Sequence, residues 1–352
     1  MNISSEDLRA AVTRGIVTEA QSAQLIALAA GRQSARSGIA EIEEPFVLFK
    51  GFNEIFVVVG LTILFSGWVG VATLMGLDMQ TPAGFTTLLL SGVTILGLMA
   101  AGSYFTLRRR MIAPSMALQI MTALASMVFA SAMVGTAAGD YSVAVISAIV
   151  ALIMAGQYLL FRVPFTAAII AGAVFFGLWT TLVGAGLVEN GGMGLFYGHS
   201  DTRMSGLTII FGLVTFGIAM RLDLSDPMRV STRSATAFWL HIVAAPAIVN
   251  TVALNLLDNG SAAAQGLLLG FLLIIAVVAI VIDRRSFLVS GAGYSVALAG
   301  TLFSGSAAIA VLALGLILVL LGAQWDRLRA RLMTALPSFP GKSSLPPYGI
   351  LA

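Results

Sequence analysis

Long apolar stretches recur along the chain, separated by short polar connections, and this pattern predicts membrane-spanning helices. A bilayer core of about 30 Å is crossed by roughly 20 apolar helical residues. About ten such stretches follow a charged N-terminal region, at approximately residues 55–76, 84–106, 114–136, 141–161, 165–187, 205–221, 234–256, 262–282, 286–303 and 307–325. The ninth is short and contains SGAGYS, so a re-entrant or broken helix is the alternative there.

The basic residues lie on alternate connections, which predicts the orientation of the spans. Short cytoplasmic loops retain Lys and Arg. The connections after spans two, four, six, eight and ten carry them, at Arg108, Arg109, Arg110, Arg162, Arg221, Arg229, Arg233, Arg284, Arg285, Arg327, Arg329, Arg331 and Lys342. The other connections carry only Arg203. Both termini are therefore predicted to face the cytoplasm, and the alternation favours an even number of spans.

Composition agrees with an all-α, polytopic membrane protein. Of 352 residues, 58% are hydrophobic and only 10% are charged, whereas soluble domains have about a quarter charged residues. The net charge of +3 is too small and too scattered to indicate a nucleic-acid partner. The chain has no cysteine, which excludes disulfides, thiolate metal sites and cysteine nucleophiles.

Flanking the transmembrane domain, residues 55–325, are three further segments. Residues 1–34 are predicted to form a small cytoplasmic helical hairpin, in which Gly15 ends the first helix and TEAQ from Thr18 resembles a capping box. Residues 35–54 form a linker whose phenylalanines suit an interfacial helix, or else span one starts early. Residues 326–352 form a proline-rich cytoplasmic tail, whose part LPSFPGKSSLPPYGILA, residues 336–352, is predicted to be extended or disordered.

Four polar side chains fall at a similar depth on different spans. Gln119, Gln157, His241 and Tyr294 lie on spans three, four, seven and nine, roughly 7–14 Å inside the cytoplasmic boundary as counted from the nearest arginines. If these helices face a common centre, the four side chains line a polar cavity that opens to the cytoplasm. They are the candidate site residues.

His241 poses the sharpest chemical question, because an unpaired imidazole in hydrocarbon is costly. We expect a polar partner on another span; Asn255 lies about 21 Å away along the same helix and is excluded. Pro246 should kink span seven just beyond the histidine. Two interpretations stay open: an interhelical hydrogen bond that holds helices together, and an ionisable group on a substrate or proton path.

Chemistry of other kinds finds little support in the sequence. No Asp or Glu lies in the middle of a predicted span, which argues against a carboxylate-driven antiporter. His199 and His241 are predicted on opposite sides and cannot share a metal ion. We find no serine elbow, carboxylate dyad or glycine-rich nucleotide motif, so catalytic residues, metals and cofactors are not predicted. Asp226 and Pro227 are interpreted as a helix start.

Two further patterns concern packing and internal symmetry. Gly266 and Gly270, together with glycines on other spans, are predicted to let helices approach closely, the others being Gly67, Gly70, Gly172 and Gly177. A shift of 122 residues superposes spans three to five on spans seven to nine without a gap and aligns Gln119 with His241. This predicts a parallel internal repeat.

The stretches RGIVTEAQSAQLIALA, GFNEIFVVVG and DLSDPMRVSTRSATAFWLHIVAAPAIVN, with about ten spans between the termini, resemble bacterial inner-membrane proteins of a domain-of-unknown-function class. The resemblance implies a bacterial cytoplasmic membrane and a short N-terminal hairpin, and it carries no activity. The leading functional hypothesis is a transporter or permease-like protein for a small solute. The alternative is a membrane scaffold or sensor that recruits a cytoplasmic protein through residues 1–34.

Overall fold

The computed structural model describes residues 52–78, 84–188, 202–302 and 307–348 apart from 228, 230 and 347, together with residues 11, 14–16, 18 and 21. The described chain is all-helical and polytopic. Its helices are α1 Phe52–Leu74, α2 Phe85–Gly102, α3 Ile112–Val134, α4 Ser142–Phe161, α5 Thr166–Gly184, α6 Thr202–Leu224, α7 Thr232–Asn259, α8 Ala262–Ile282, α9 Ser286–Leu302, α10 Ala307–Ala323 and α11 Trp325–Ala335. Within these ranges, eight helices, α1 to α8, are long and apolar enough to cross a membrane.

Helices α9 and α10 coincide with the predicted ninth and tenth spans but contain only 17 residues each. A 17-residue helix rises about 25 Å, which is shorter than a typical bilayer core. The start of α11 nevertheless returns to the end of α8, because the Trp325 indole donates a hydrogen bond to Asp283. The chain therefore enters α9 and exits α10 on the same side of the protein. Two complete spans and a re-entrant hairpin would both give this arrangement.

Helix α7 is the centre of the bundle and packs against α5, α6, α8 and α9. Its inward positions are mostly small, and Ala237, Ala244, Ala245 and Ala253 are fully buried. Small side chains let neighbouring helix backbones approach closely, which is how helices associate where lipid removes most of the hydrophobic drive. The helix continues through Pro246 without a break. The kink at this proline stays a prediction.

Close approach of α6 and α7 depends on Gly212. A Cβ atom built on Gly212 would lie 2.7 Å from Ile248 Cγ1 and 3.1 Å from Ala247 Cβ. Among the glycines predicted to serve packing, only Gly177 has a comparable neighbour, with Ser147 Cβ at 3.2 Å. No described atom outside the helix's own backbone lies within 4 Å of the Cβ position in the others, Gly67, Gly70, Gly172, Gly266 and Gly270. For these five the packing prediction is wrong within the described chain.

We expect Gly212→Ala to destabilise the protein by about 1–3 kcal/mol, because overpacking forces α6 away from α7. Gly217 is the matched control, since it lies on the same helix with no described atom within 4 Å of its Cβ position. Gly217→Ala should be neutral or stabilising by up to about 1 kcal/mol, because alanine favours the helix. The melting temperatures of both variants in detergent test this. Equal effects of the two substitutions would show that the α6–α7 contact is not tight.

Glu54, at the start of α1, fixes the start of α3. Its carboxylate accepts hydrogen bonds from the backbone amides of Ile112, at 3.2 Å, and Ala113, at 3.0 Å, and the residue is only 5% exposed. The first amides of a helix have no partner within the helix, and an anion there is favoured by the helix dipole. This carboxylate therefore links the first and third helices, a contact that the sequence pattern did not reveal.

Helix starts recur at a constant spacing in the two halves of the predicted repeat. Helices α7, α8 and α9 begin 120 residues after α3, α4 and α5, respectively. That spacing is two residues shorter than the 122-residue shift that aligns Gln119 with His241. The helix starts and the sequence matches therefore give different alignments of the two halves. The environments also differ, since Arg162 is exposed whereas Arg284 is fully buried. The duplication stays a prediction.

In the N-terminal region, the described residues agree with the predicted turn between two helices. Gly15 has a positive φ of 68°, and the Ile16 amide donates to the Ala11 carbonyl. The Thr18 amide donates to Gln21 Oε1 at 2.9 Å, and the Gln21 amide donates to Thr18 Oγ1 at 3.2 Å. These reciprocal bonds confirm the capping box. Most of the segment 1–34 and the linker up to residue 51 lie outside the described residues, and α1 begins at Phe52.

The predicted tail, residues 326–352, begins with an amphipathic helix that ends at Ala335, before the stretch 336–352 for which an extended or disordered chain is predicted. Helix α11 buries Trp325, Arg329 and Met333 and exposes polar side chains. A short 3₁₀ turn, Lys342–Ser344, follows it. The described part of the tail is therefore folded against the rest of the chain.

Candidate functional site

Three ionisable side chains from separate parts of the chain meet in the interior. Asp223, one residue before the end of α6, accepts hydrogen bonds from His241 Nε2 at 2.9 Å and from Arg284 Nε at 3.0 Å, both on Oδ2. Arg284 Nη2 donates to the other carboxylate oxygen, which makes the arginine–aspartate pair bidentate. The side chains of His241 and Arg284 are 0% exposed and that of Asp223 is 4% exposed. All three are thus removed from solvent and from lipid.

Ser234, near the start of α7, completes this group, which we call the Asp223 cluster: Asp223, Ser234, His241 and Arg284. Arg284 Nη2 donates to the Ser234 carbonyl at 3.2 Å and lies 3.3 Å from its hydroxyl. Because a carboxylate only accepts hydrogen bonds, His241 donates from Nε2, and the neutral ring keeps a lone pair on Nδ1. Neither His241 Nδ1 nor Arg284 Nη1 has a hydrogen-bond partner among the described atoms.

Aromatic rings surround the imidazole and the guanidinium. Phe216 and Phe287 lie edge-on to His241, with ring centroids at 5.5 and 5.9 Å. The Arg284 guanidinium lies 5.9 Å from the centre of the Phe238 ring. These rings lower the local polarity, which strengthens every electrostatic interaction inside the cluster.

A second ionic group lies next to the first, because Asp283 precedes Arg284. Asp283 Oδ2 is 3.0 Å from Arg229 Nη1, and Asp283 Oδ1 accepts a hydrogen bond of 2.6 Å from the Trp325 indole and lies 3.9 Å from Arg329 Nε. Arg229 also donates to the backbone carbonyl of Asp283 at 2.8 Å, at the end of α8. We call Arg229, Asp283, Trp325 and Arg329 the Asp283 cluster.

In the Asp283 cluster, the side chains of Arg229 and Arg329 are partly desolvated cations. Burial, together with the nearby Arg284 charge, lowers the pKa of Arg229 to about 10, although Asp283 opposes the shift. Burial likewise lowers the pKa of Arg329, again opposed by Asp283. Arg229 therefore stays charged at neutral pH. The two clusters together hold three arginines against two aspartates, all of them buried or nearly so.

The structure confirms that His241 has a polar partner on another helix. That partner is Asp223, which lies beyond the predicted sixth span, residues 205–221, but inside α6 because the helix continues to Leu224. Asn255 instead donates to the Ser205 hydroxyl at 3.2 Å and to the Thr251 carbonyl. The exclusion of Asn255 as the partner is thus confirmed.

The other three candidate residues lie in less polar surroundings. Gln119 and Gln157 are 1% and 3% exposed, and Gln119 Oε1 has no hydrogen-bond partner among the described atoms. Next to Gln157, the Tyr158 hydroxyl lies 3.1 Å from Thr236 Oγ1 on α7. Tyr294 is half-buried and packs against two apolar core clusters. The structure brings only His241 into an ionic cluster.

Two described cavities lie elsewhere. One of about 500 Å³ is lined mostly by apolar side chains of α3, α4 and α5, and one of about 370 Å³ lies among α1, α2 and α3. Neither is lined by Gln119, Gln157, His241 or Tyr294. The shared polar cavity therefore stays a prediction; Gln119, Gln157 and His241 are buried, and Tyr294 is half-buried.

The sequence reasoning missed Asp223, Ser234 and Arg284 because it placed Asp223 and Arg284 in cytoplasmic connections and gave Ser234 no role. A usable signal was the length of α7, which at 28 residues spans roughly 40 Å and exceeds the bilayer core. Its first turns therefore extend past the ends of neighbouring helices, and His241 lies level with those ends. Depth counted from the nearest arginine overestimated how far His241 is from charged residues.

The interpretation of Asp226 and Pro227 as a helix start is wrong. Helix α7 begins at Thr232, and Ser231 is its N-cap, with a hydroxyl that accepts from the Arg233 amide. The Asp226 carboxylate instead accepts hydrogen bonds from the Ser231 amide and hydroxyl at 2.8 and 2.7 Å. It thereby binds the N-cap residue of α7.

No family model, curated protein or solved structure matches this chain. The two clusters, and the helices that bring them together, are therefore the features from which a function can be inferred.

Proposed function

We propose that this integral, multi-pass membrane protein is a permease-like transporter of a small solute, and that the Asp223 cluster is its closed cytoplasmic gate. The observation that carries the proposal is a fully buried ion pair with a histidine at the meeting point of α6, α7 and the α8–α9 connection. As part of the same proposal, the membrane is the bacterial cytoplasmic membrane and the clusters face the cytoplasm.

Buried ion pairs are an inefficient way to stabilise a fold. The cost of removing two charges from water often exceeds their attraction, and apolar residues of similar volume frequently serve stability as well or better. Ionisable groups inside membrane domains accordingly tend to mark substrate or ion pathways. The retention of Asp223, His241 and Arg284 in the interior therefore supports a functional role beyond packing.

A gate needs contacts that form in one state and break in another. Asp223 belongs to α6 and Arg284 to the connection between α8 and α9, so separation of these elements breaks the pair without unfolding any helix. On neighbouring helices, the buried amides of Gln119 and Gln157 supply hydrogen-bonding groups for a polar solute. The Tyr158–Thr236 contact connects that region to α7.

The cysteine-free chain allows a direct test of alternating access. Gln119→Cys and Gln157→Cys variants are prepared in inverted and right-side-out vesicles and treated with a membrane-impermeant methanethiosulfonate reagent. Only a thiol in contact with water reacts at a useful rate, because the thiolate is the reactive form. We expect each thiol to react from both sides of the membrane, since a transporter exposes its solute site alternately.

Matched controls come from exposed apolar side chains of α4, the helix that carries Gln157. Leu152 and Leu159 are 72% and 75% exposed and line neither described cavity, so Leu152→Cys and Leu159→Cys should not react from either side. Failure of both Gln119→Cys and Gln157→Cys to react from one or both sides would contradict the transport proposal. If the thiols do react from both sides, solutes are screened for protection of the reactive variants. A solute that protects them should also raise the melting temperature of the wild-type protein.

A further inference from the structure

The chain after α11 turns back and lies along that helix. We call residues 336–346 the return segment. Its closing residues Leu345 and Pro346 are buried, and the Pro346 carbonyl accepts a hydrogen bond of 2.7 Å from Arg329 Nη2. At the turn itself, Lys342 Nζ donates to the Leu336 carbonyl at 2.6 Å.

The return segment reaches the end of α6 that carries Asp223. A Cβ atom built on Gly341 would lie 3.9 Å from Leu224 Cδ2, and Leu224 follows Asp223 directly. On the other side, α11 packs against α8, and Trp325 donates to Asp283, the residue before Arg284. The return segment and α11 thus border both the Asp223 cluster and the Asp283 cluster on the predicted cytoplasmic side.

Few interactions hold the return segment in place. Its described backbone hydrogen bonds are local: the Leu336 amide donates to the Leu332 carbonyl, and the amides of Lys342, Ser344 and Leu345 donate to carbonyls three residues earlier. Prolines at 337, 340 and 346 lack the amide that would extend a helix or a longer hydrogen-bonded contact. Its described long-range attachments are the burial of Leu345 and Pro346, the Arg329–Pro346 bond and the approach of Gly341 to Leu224. Segments with so few contacts open locally while the remainder stays folded.

We propose that the return segment is a lid over the cytoplasmic gate, held shut by Leu345 and by the Arg329–Pro346 hydrogen bond. Release of the lid gives water and solute access to the Asp223 cluster from the cytoplasm. This proposal rests on the proposed function, because a lid regulates access only if the cluster is a gate.

The test uses the full chain with one reporter, Ser234→Cys, which replaces a buried hydroxyl next to Arg284 by a thiol of similar size. Inverted vesicles are treated with a membrane-impermeant thiol reagent, and the labelling rate is measured. Leu345→Glu removes an apolar anchor and places a charge in its site, so we expect labelling to accelerate by about tenfold or more. Arg329→Gln, which removes the guanidinium that binds Pro346, should act in the same direction.

Two exposed positions provide matched controls. Ser343→Glu adds the same charge two residues from Leu345, and Arg331→Gln removes the same type of cation two residues from Arg329. Both should leave the labelling rate unchanged within about twofold, as exposed substitutions rarely alter local stability. Melting temperatures of all four variants establish that the spans stay folded. If one of Leu345→Glu and Arg329→Gln does not fold, the other and its control provide the comparison.

The outcomes separate the two proposals. If Leu345→Glu and Arg329→Gln label no faster than their controls, the lid is overturned while access at Gln119 and Gln157 still tests transport. If labelling at Ser234 accelerates but those two positions react from only one side, the segment covers the cluster and the protein does not transport. Acceleration of the controls to the same extent would also overturn the lid, because the effect would not depend on the two anchors.

Discussion

Replacement of either Asp223 or Arg284 alone should cost about 3–5 kcal/mol of unfolding free energy, because each change leaves the other charge buried without its partner. In Asp223→Leu, the Arg284 guanidinium keeps only the Ser234 carbonyl and hydroxyl as described acceptors. In Arg284→Met, the Asp223 carboxylate keeps the His241 Nε2–H as its described donor. Denaturation of each variant in mixed detergent micelles measures these losses.

The double variant Asp223→Leu/Arg284→Met should lose less stability than either single variant. It removes both charges together, and apolar replacements of similar size often hold such a site at little cost. The remaining loss should be about 1–3 kcal/mol, from the His241 Nε2–H left without its acceptor. Arg233→Ala, at an exposed position on α7, is the control and should change stability by less than about 0.5 kcal/mol. A double loss equal to the sum of the single losses would show that the two side chains are not coupled.

Trp325→Ala should destabilise the protein by about 3–5 kcal/mol, the usual cost of deleting a large buried aromatic side chain. Trp325 is only 3% exposed and belongs to a core cluster with Ala245, Ala279 and Phe287. It therefore makes α11 part of a core cluster to which α7, α8 and the start of α9 also contribute. The melting temperature of the purified protein reports the loss.

Trp325→Phe separates packing from hydrogen bonding at the same position. Phenylalanine keeps most of the buried ring but removes the indole N–H that binds Asp283 at 2.6 Å. We expect a loss smaller than that of Trp325→Ala, at about 1–3 kcal/mol, since Asp283 retains Arg229. If the two variants were equally unstable, the hydrogen bond to Asp283 would matter more than the packing of the ring.

Both predictions concern the same structural feature, which is the meeting of helix ends on one side of the bundle. The end of α6, the start of α7 and the connection between α8 and α9 each contribute a charged or polar side chain to the Asp223 cluster. Because these groups lie at staggered helix ends, Arg284 points into the protein although it belongs to a short connection. Basic residues next to a span do not always mark a solvated loop.

Most of the membrane architecture was accessible from the amino-acid sequence. Apolar stretches of about 20 residues identified the helices, since every backbone amide in hydrocarbon must find its partner within the segment. The capping box at Thr18 and Gln21 was also accessible, because its bonds join residues three positions apart. These features depend on local patterns, which can be identified directly in the sequence.

The candidate site was only partly accessible. The sequence singled out His241 as a residue needing a partner, since an unpaired imidazole is costly in hydrocarbon. Its partner Asp223 was placed outside the membrane because the sixth span was taken to end at residue 221, whereas α6 continues to Leu224. Gln119, Gln157 and Tyr294 shared a depth with His241, but depth along separate helices does not determine which faces meet.

An all-helical, multi-pass membrane protein could be predicted from the amino-acid sequence alone, because span length and hydropathy are properties of each segment. The pairing of the polar groups, in contrast, depends on how the helices pack in three dimensions. The partners Asp223, His241 and Arg284 are separated by 18 to 61 residues, and their contact requires the rotation and stagger of three elements. Because these helices are apolar on most faces, each could pack in many rotations about its axis at similar energy. The packing of the whole bundle selects among these rotations.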